Sequence, residues 1–156
     1  MRYLFIALAL AEVSAFAGEA TVTDQFELNA PFERVTAWID SNGAAIRDAV
    51  NVKLVEQHRD TLTLRRENNR GCWVWKQKED VSKTAGRWSY TTKLVECVEG
   101  GVTRLDGTVT IEELGGRTKI TATTSAEVED IKSRDLRFDL FARARRIKKL
   151  ITEAVE

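Results

Sequence analysis

The chain has 156 residues, 43% of them hydrophobic, with one proline, and its 24 Lys and Arg are balanced by 24 Asp and Glu. That length carries a single domain with a true hydrophobic core, and the composition excludes an intrinsically disordered chain. The cancelled charge gives no global reason to expect a nucleic-acid partner.

The first residues, MRYLFIALALAEVSAFAGEA, read as a secretory leader. Arg2 is a short basic region, Tyr3 to Ala11 an apolar run, and Ala15-Phe16-Ala17 a small-x-small cleavage pattern. The expectation is a cleaved signal peptide of residues 1–17, or 1–20 with the later start, and a mature single domain over 21–156. The apolar run is too short to anchor the chain across a bilayer. Glu12 favours the competing reading, a buried amino-terminal helix. Export to the periplasm or the extracellular space would place the only two cysteines, Cys72 and Cys97, in an oxidising compartment. Their spacing is not that of a metal site, so neither a metal nor a cofactor is expected.

TVTDQFELNA alternates Val22, Asp24, Phe26 and Leu28 with polar neighbours, the pattern of a half-buried strand. The period then changes. Pro31 suits a first helical turn, Phe32, Val35, Trp38 and Ile39 recur at helical spacing, and Ser41-Asn42-Gly43 divides this helix from a second short one over Ala44 to Ala49. From Asn51 to Val128 the chain reads as strands punctuated by turns rich in Gly, Asn and Asp. In a hairpin the numbers of paired residues have a constant sum. Turns centred on Asn69-Arg70, Thr84-Ala85, Gly100-Gly101 and Gly115-Gly116 keep one mainly apolar face across five successive strands, the mark of an antiparallel meander with one buried face. SRDLRFDLFARARRIKKLITEAVE closes the chain as a long amphipathic helix. Ser133 is its expected N-cap, and Leu136, Leu140, Ala144, Ile147, Ile151 and Ala154 form its stripe, flanked by Phe141 and Leu150.

This order resembles the helix-grip fold of the START/polyketide-cyclase (SRPBCC) superfamily over residues 21–156. The most specific local piece is FELNAPFERVTAWI, in which Phe26, Leu28, Ala30, Pro31, Glu33, Val35 and Trp38 stand where the family often has a strand running into I-x-A-P-x-E-x-V-W. The tryptophan departs from that pattern, in which it directly follows the valine. The resemblance implies an α+β fold: a curved seven-stranded antiparallel sheet wrapped around the carboxy-terminal helix, with two short helices after the first strand. It also implies a cavity between sheet and helix that holds a hydrophobic ligand such as a lipid or polyketide. It transfers no catalytic residue.

The expected registers name what would face that cavity. One row holds Leu54, Arg66, Trp73, Glu96, Leu105 and Ala126. A second holds Glu56, Leu64, Trp75, Leu94, Gly107 and Thr124. A third holds His58, Leu62, Gln77, Thr92, Val109 and Ala122, and a fourth Glu79, Tyr90, Ile111 and Ile120. The ligand-binding candidates are therefore Arg66, Trp73, Trp75, Gln77, Trp88, Tyr90, Thr92, Leu94 and Glu96. Arg66 and Glu96 would bridge over Trp73, which also describes a structural ion pair. The acid–base candidates are Glu56, His58, Arg66 and Tyr90, although His58 beside a turn reads more simply as an exposed strand end. The same constant sum that pairs Trp75 with Leu94 also sets Cys72 opposite Cys97 and predicts a disulfide between them on the outer face.

Arg143, Arg145, Arg146, Lys148 and Lys149 make the last helix strongly basic. A solvated outer face is the plainer reading and weak contact with an anionic membrane surface the sharper one. The expectation for function is an exported carrier or sequestering protein for a hydrophobic small molecule, more in keeping with binding than with catalysis. The alternatives are a polyketide cyclase/aromatase-like enzyme and an interaction protein whose cavity is filled.

Overall fold

A computed structural model describes residues 17–156. The expected leader of residues 1–17 lies, apart from Ala17, outside the described residues. The elements run β1 (Gly18–Leu28), α1 (Phe32–Ser41), α2 (Gly43–Ala49), β2 (Val52–His58), β3 (Thr61–Asn68), β4 (Gly71–Thr84), β5 (Arg87–Glu99), β6 (Val102–Leu114), β7 (Arg117–Val128) and α3 (Ser133–Val155). Seven strands form one antiparallel sheet in the order β1-β7-β6-β5-β4-β3-β2. Its concave face is covered by the three helices, which is the expected helix-grip arrangement.

β1 begins at Gly18, earlier than its alternation alone suggests, and pairs along its whole length with β7 from Val128 to Thr118. Gly18 is required there, because a Cβ on it would collide with the Ile131 carbonyl. α3 is tied beside β1 at both ends. The Glu19 N–H donates to Ser133 Oγ (3.0 Å) and the Asn29 N–H to Glu156 Oε1 (2.7 Å). Ser133 therefore serves β1 rather than capping its own helix, whose N-cap is Lys132. Pro31 precedes α1 with φ −62°, and its carbonyl accepts from the N–H groups of Arg34 and Val35 at 3.1 Å.

Two expected registers hold in full: Arg66 faces Trp73 and Leu64 faces Trp75, while Ile111 faces Ile120 and Val109 faces Ala122. The others shift, for identifiable reasons. Gly86 adopts φ +71°, a conformation glycine accepts without cost, and so belongs to the β4–β5 turn. Thr84 consequently pairs with Arg87, and Gln77 rather than Trp75 faces Leu94. Further along, bulges between Lys76 and Gln77 and between Val74 and Trp75 slip the register by single residues. A one-residue slip exchanges the faces of a strand. Cys97 turns inward as the partner of Trp75, and Glu96 turns outward beside Lys76, with 3.4 Å between their charged groups. Cys72 lies opposite Glu67 on β3. The expected Cys72–Cys97 disulfide is therefore not formed, and both thiols are free.

The β5–β6 pairing is also shifted, with Tyr90 facing Val109 and Trp88 facing Ile111, but by an even number that preserves the faces. In β2 the turn comprises Arg59 and Asp60, so His58 pairs with Thr61 and Glu56 with Thr63. Those threonines alternate with the buried Leu62 and Leu64, so Glu56 and His58 point outward and are exposed. A bulge at Val55 restores the expected face at Leu54.

The core divides along the concave face. Leu28, Ala30, Phe32, Val35, Ile111, Ile120, Ile151 and Val155 form one cluster, in which α1 and the end of α3 fill that half of the sheet. The clusters around Val22, Val102, Ala126, Leu136 and Leu140, and around Val50, Leu62, Leu64 and Trp75, flank the other half.

Candidate functional site

Between these last two clusters the fold leaves a cavity of about 320 Å³ under the first half of α3. Trp73 and Trp75 of β4, Leu105 of β6, Ala126 of β7, and Leu136 and Leu140 of α3 give it a largely apolar wall. Asn68, Asn69 and Arg70 of the β3–β4 turn stand at its rim, with Phe138 on the opposite side, 75% exposed. The rim is bridged by Arg70 and Asp135, 3.6 Å apart.

Arg66, Asp139 and Arg143 stand in the wall, and the exposed Arg146 also lines the cavity. Arg66 of β3 is almost enclosed, its side chain 11% exposed, and its guanidinium donates bidentately to Asp139 of α3 at 2.8 and 2.9 Å. Its Nε also donates to the Val50 carbonyl at 3.2 Å. Parallel N–H···O bonds of this kind are strong and directional. Arg143 follows Asp139 by one helical turn. The residue is half-buried and lines the cavity. Burial, then repulsion from Arg66, lowers its pKa to about 10, with Asp139 opposing. Among the described residues Arg143 makes no ion pair within 4.0 Å.

Behind the cavity lies a separate polar ladder. Trp75 Nε1 donates to Gln77 Oε1 at 3.0 Å, and Gln77 Nε2 donates to Glu79 Oε1 at 3.1 Å. The Tyr90 hydroxyl faces the Glu79 carboxylate; burial first, and Glu79 second, raise the phenol's pKa well above its usual range. These groups satisfy one another.

The sequence matches no family model and no curated protein. Its architecture has clear counterparts among solved structures. A START superfamily protein from Mycobacterium smegmatis superposes with a TM-score of 0.64 at 17% identity, over 86% of this chain and 96% of that one. This chain has the helix-grip fold of the START/SRPBCC superfamily. The Zhui aromatase/cyclase from a Streptomyces species shares the START fold with a TM-score of 0.56 at 16% identity, over 87% of this chain and 90% of that one. Ara h 8.0201 shares it with a TM-score of 0.55 at 12% identity, over 86% and 98%.

Within this START fold, the expected first row comes closest to the cavity: Arg66, Trp73, Leu105 and Ala126 all line it, joined by Trp75 of the second. The remaining ligand candidates do not. Gln77, Thr92 and Tyr90 lie in or beside the polar ladder, and Leu94 packs into the flanking core. Trp88 packs edge-on against Phe32 at 6.4 Å, with Lys83 Nζ 4.0 Å above its ring. Glu96 is on the outer face with Lys76, so the expected Arg66–Glu96 bridge is replaced by Arg66–Asp139. Of the four acid–base candidates, Glu56 and His58 are outside, Tyr90 is engaged near Glu79, and Arg66 alone reaches the cavity.

The basic helix also divides. Arg145, Lys148 and Lys149 are exposed and away from the cavity, whereas Arg143 belongs to its wall and the exposed Arg146 also lines it. Asp139 and Arg143 are the site residues that the sequence reading missed. The available signal was their spacing: Asp135, Asp139 and Arg143 recur every four residues beside Leu136 and Leu140, and Arg143 stands between Leu140 and Ile147 where an inward stripe passes.

Proposed function

We propose that this protein binds a hydrophobic small molecule in the cavity beneath α3 and carries or sequesters it, following export from the cell. The observation that carries this reading is the 320 Å³ space lined by tryptophans, leucines and alanine, with polar and charged groups converging on it. Small-molecule sites begin at about this size, roughly 300 Å³, and have this kind of lining. The volume argues against the alternative of a filled core.

A cyclase of the kind named for one structural counterpart is less well supported. General acid–base work requires a titratable group within reach of the substrate. Glu56 and His58 are on the far side of the sheet, and Arg66 is committed to Asp139. Export rests on the leader pattern of Arg2, the apolar run and Ala15-Phe16-Ala17.

Native mass spectrometry of protein recovered from the exported fraction tests both parts. The expected result is a chain lacking its leader, with a ligand that denaturing extraction releases. A protein that emerges empty and leaves its tryptophan fluorescence unchanged on adding apolar probes would overturn the carrier reading. Recovery of the uncleaved chain only from the cell interior would overturn export. The variants Glu56→Gln and His58→Ala should bind as the parent does; loss of a turnover with binding intact would favour catalysis instead.

A further inference from the structure

The charges around the cavity do not cancel. Arg66 and Asp139 neutralise each other through their bidentate pair, and Arg70 and Asp135 pair across the rim. Of the two lining arginines without an ion pair, Arg146 is exposed, and Arg143, half-buried, is left over in the wall. It sits on α3, a helix held to β1 at both ends, so its backbone cannot withdraw from the cavity without releasing those contacts. It is half-buried in the cavity wall and has no ion-pair partner among the described residues, and the neighbouring Arg66 repels it.

A partly buried cation without a counter-charge is costly, and the cost falls when an anion with matching geometry occupies the adjacent space. A guanidinium presents a planar fork that suits a carboxylate in particular. The wall also presents apolar side chains, Trp73, Trp75, Leu105, Ala126, Leu136 and Leu140. The space next to Arg143 therefore fits a molecule with an acid group at one end and a hydrocarbon or aromatic body at the other.

We infer that the ligand of this cavity is an amphipathic carboxylic acid, its carboxylate held by Arg143 and its apolar body packed against Trp73, Trp75 and Leu105. The inference rests on the carrier reading above and narrows it. The volume, about ten waters by bulk density, admits either a medium-length acyl chain or a fused aromatic acid. Asp139 keeps Arg66 from competing for the carboxylate and thereby gives Arg143 the recognition role.

Isothermal titration of the folded, ligand-stripped protein tests this with two matched pairs: dodecanoate against dodecanol, and naphthoate against naphthamide. The expected result is that at least one acid binds about tenfold or more tightly than its neutral partner, the advantage of a charge-assisted hydrogen bond. Arg143→Met should abolish the preference while keeping affinity for the neutral compound, and Arg143→Lys should retain part of it. The pair that shows the preference identifies the body as acyl or aromatic. Equal binding of acid and neutral partner by the parent protein would overturn the inference and leave the carrier reading standing, as would a preference that survives Arg143→Met. If none of the four compounds binds, the carrier reading fails and the inference fails with it. The comparison within the parent protein decides the matter even if Arg143→Met does not fold.

Discussion

Arg66 of β3 and Asp139 of α3 lock together through two nearly equal contacts, 2.8 and 2.9 Å, so that the helix is joined to the sheet at the cavity wall. This pair separates an internally balanced charge from the unbalanced one, Arg143, that follows by one turn.

Removing one member of the pair should cost more than removing both. Asp139→Ala leaves Arg66, 11% exposed, beside a second guanidinium with no carboxylate. The expected loss is about 3 kcal/mol, moderated because Asp139 is itself partly exposed. The double variant Arg66→Met with Asp139→Leu should recover most of that loss, since apolar pairs of similar volume replace buried ion pairs well. Urea denaturation of the parent, both single variants and the double checks this; a double variant as unstable as Asp139→Ala would contradict it.

Arg143 should stabilise the empty protein by its absence. Its pKa is depressed to about 10, chiefly by burial, which means that folding penalises the charged form. Arg143→Met removes the charge and keeps a long apolar stem. The expected change is a gain of about 1–2 kcal/mol, seen as a Tm higher by roughly 3–6 °C for a domain of this size. Sites selected for binding commonly trade stability in this way. A lowered Tm for a folded Arg143→Met protein would show that the guanidinium supports the empty fold.

Tyr90 should make stability fall with rising alkalinity. Its pKa is raised in the folded state by burial and by Glu79, above the ordinary value of 10.0. The unfolded chain therefore releases the phenol proton first as pH rises, and the folded chain binds more protons in that window. Stability contributed by Tyr90 is complete below pH 10 and diminishes above it. Urea unfolding between roughly pH 9 and 11 should show this decline, and Tyr90→Phe should flatten it. Equal slopes for parent and variant would remove Tyr90 as the cause.

The thiols should behave independently. Cys97 faces Trp75 across β5 and β4, and Cys72 faces Glu67 across β4 and β3. Intact mass should be the same before and after reduction, and Cys72→Ser should leave stability within about 0.5 kcal/mol. Cys97→Ser places a hydroxyl against the inner core and should cost about 1–2 kcal/mol. A mass gain on reduction would restore the disulfide and contradict the observed register.

Much of this molecule was legible in the residues themselves. Alternation at Val22 to Leu28, the glycine-rich turns and the helical stripe from Leu136 to Ile151 are local patterns, and each states which side of its own element must be buried. Those demands agree only for a meander with one covered face, so strand order and helix placement followed from them. The faces of Glu56, His58, Glu96 and Cys97 did not. They depend on turns and bulges that add a residue, and the bulges fall at Val55, Val95 and Val98, which are left exposed against the apolar alternation. The site was also beyond sequence. Where α1 and α2 fill the concave face and where they leave it open is a matter of how helices pack on a curved sheet. Only that packing brings Asp139 to Arg66, 73 residues away along the chain, and turns Arg143 from one charge among many on a basic helix into a half-buried cation lining a cavity.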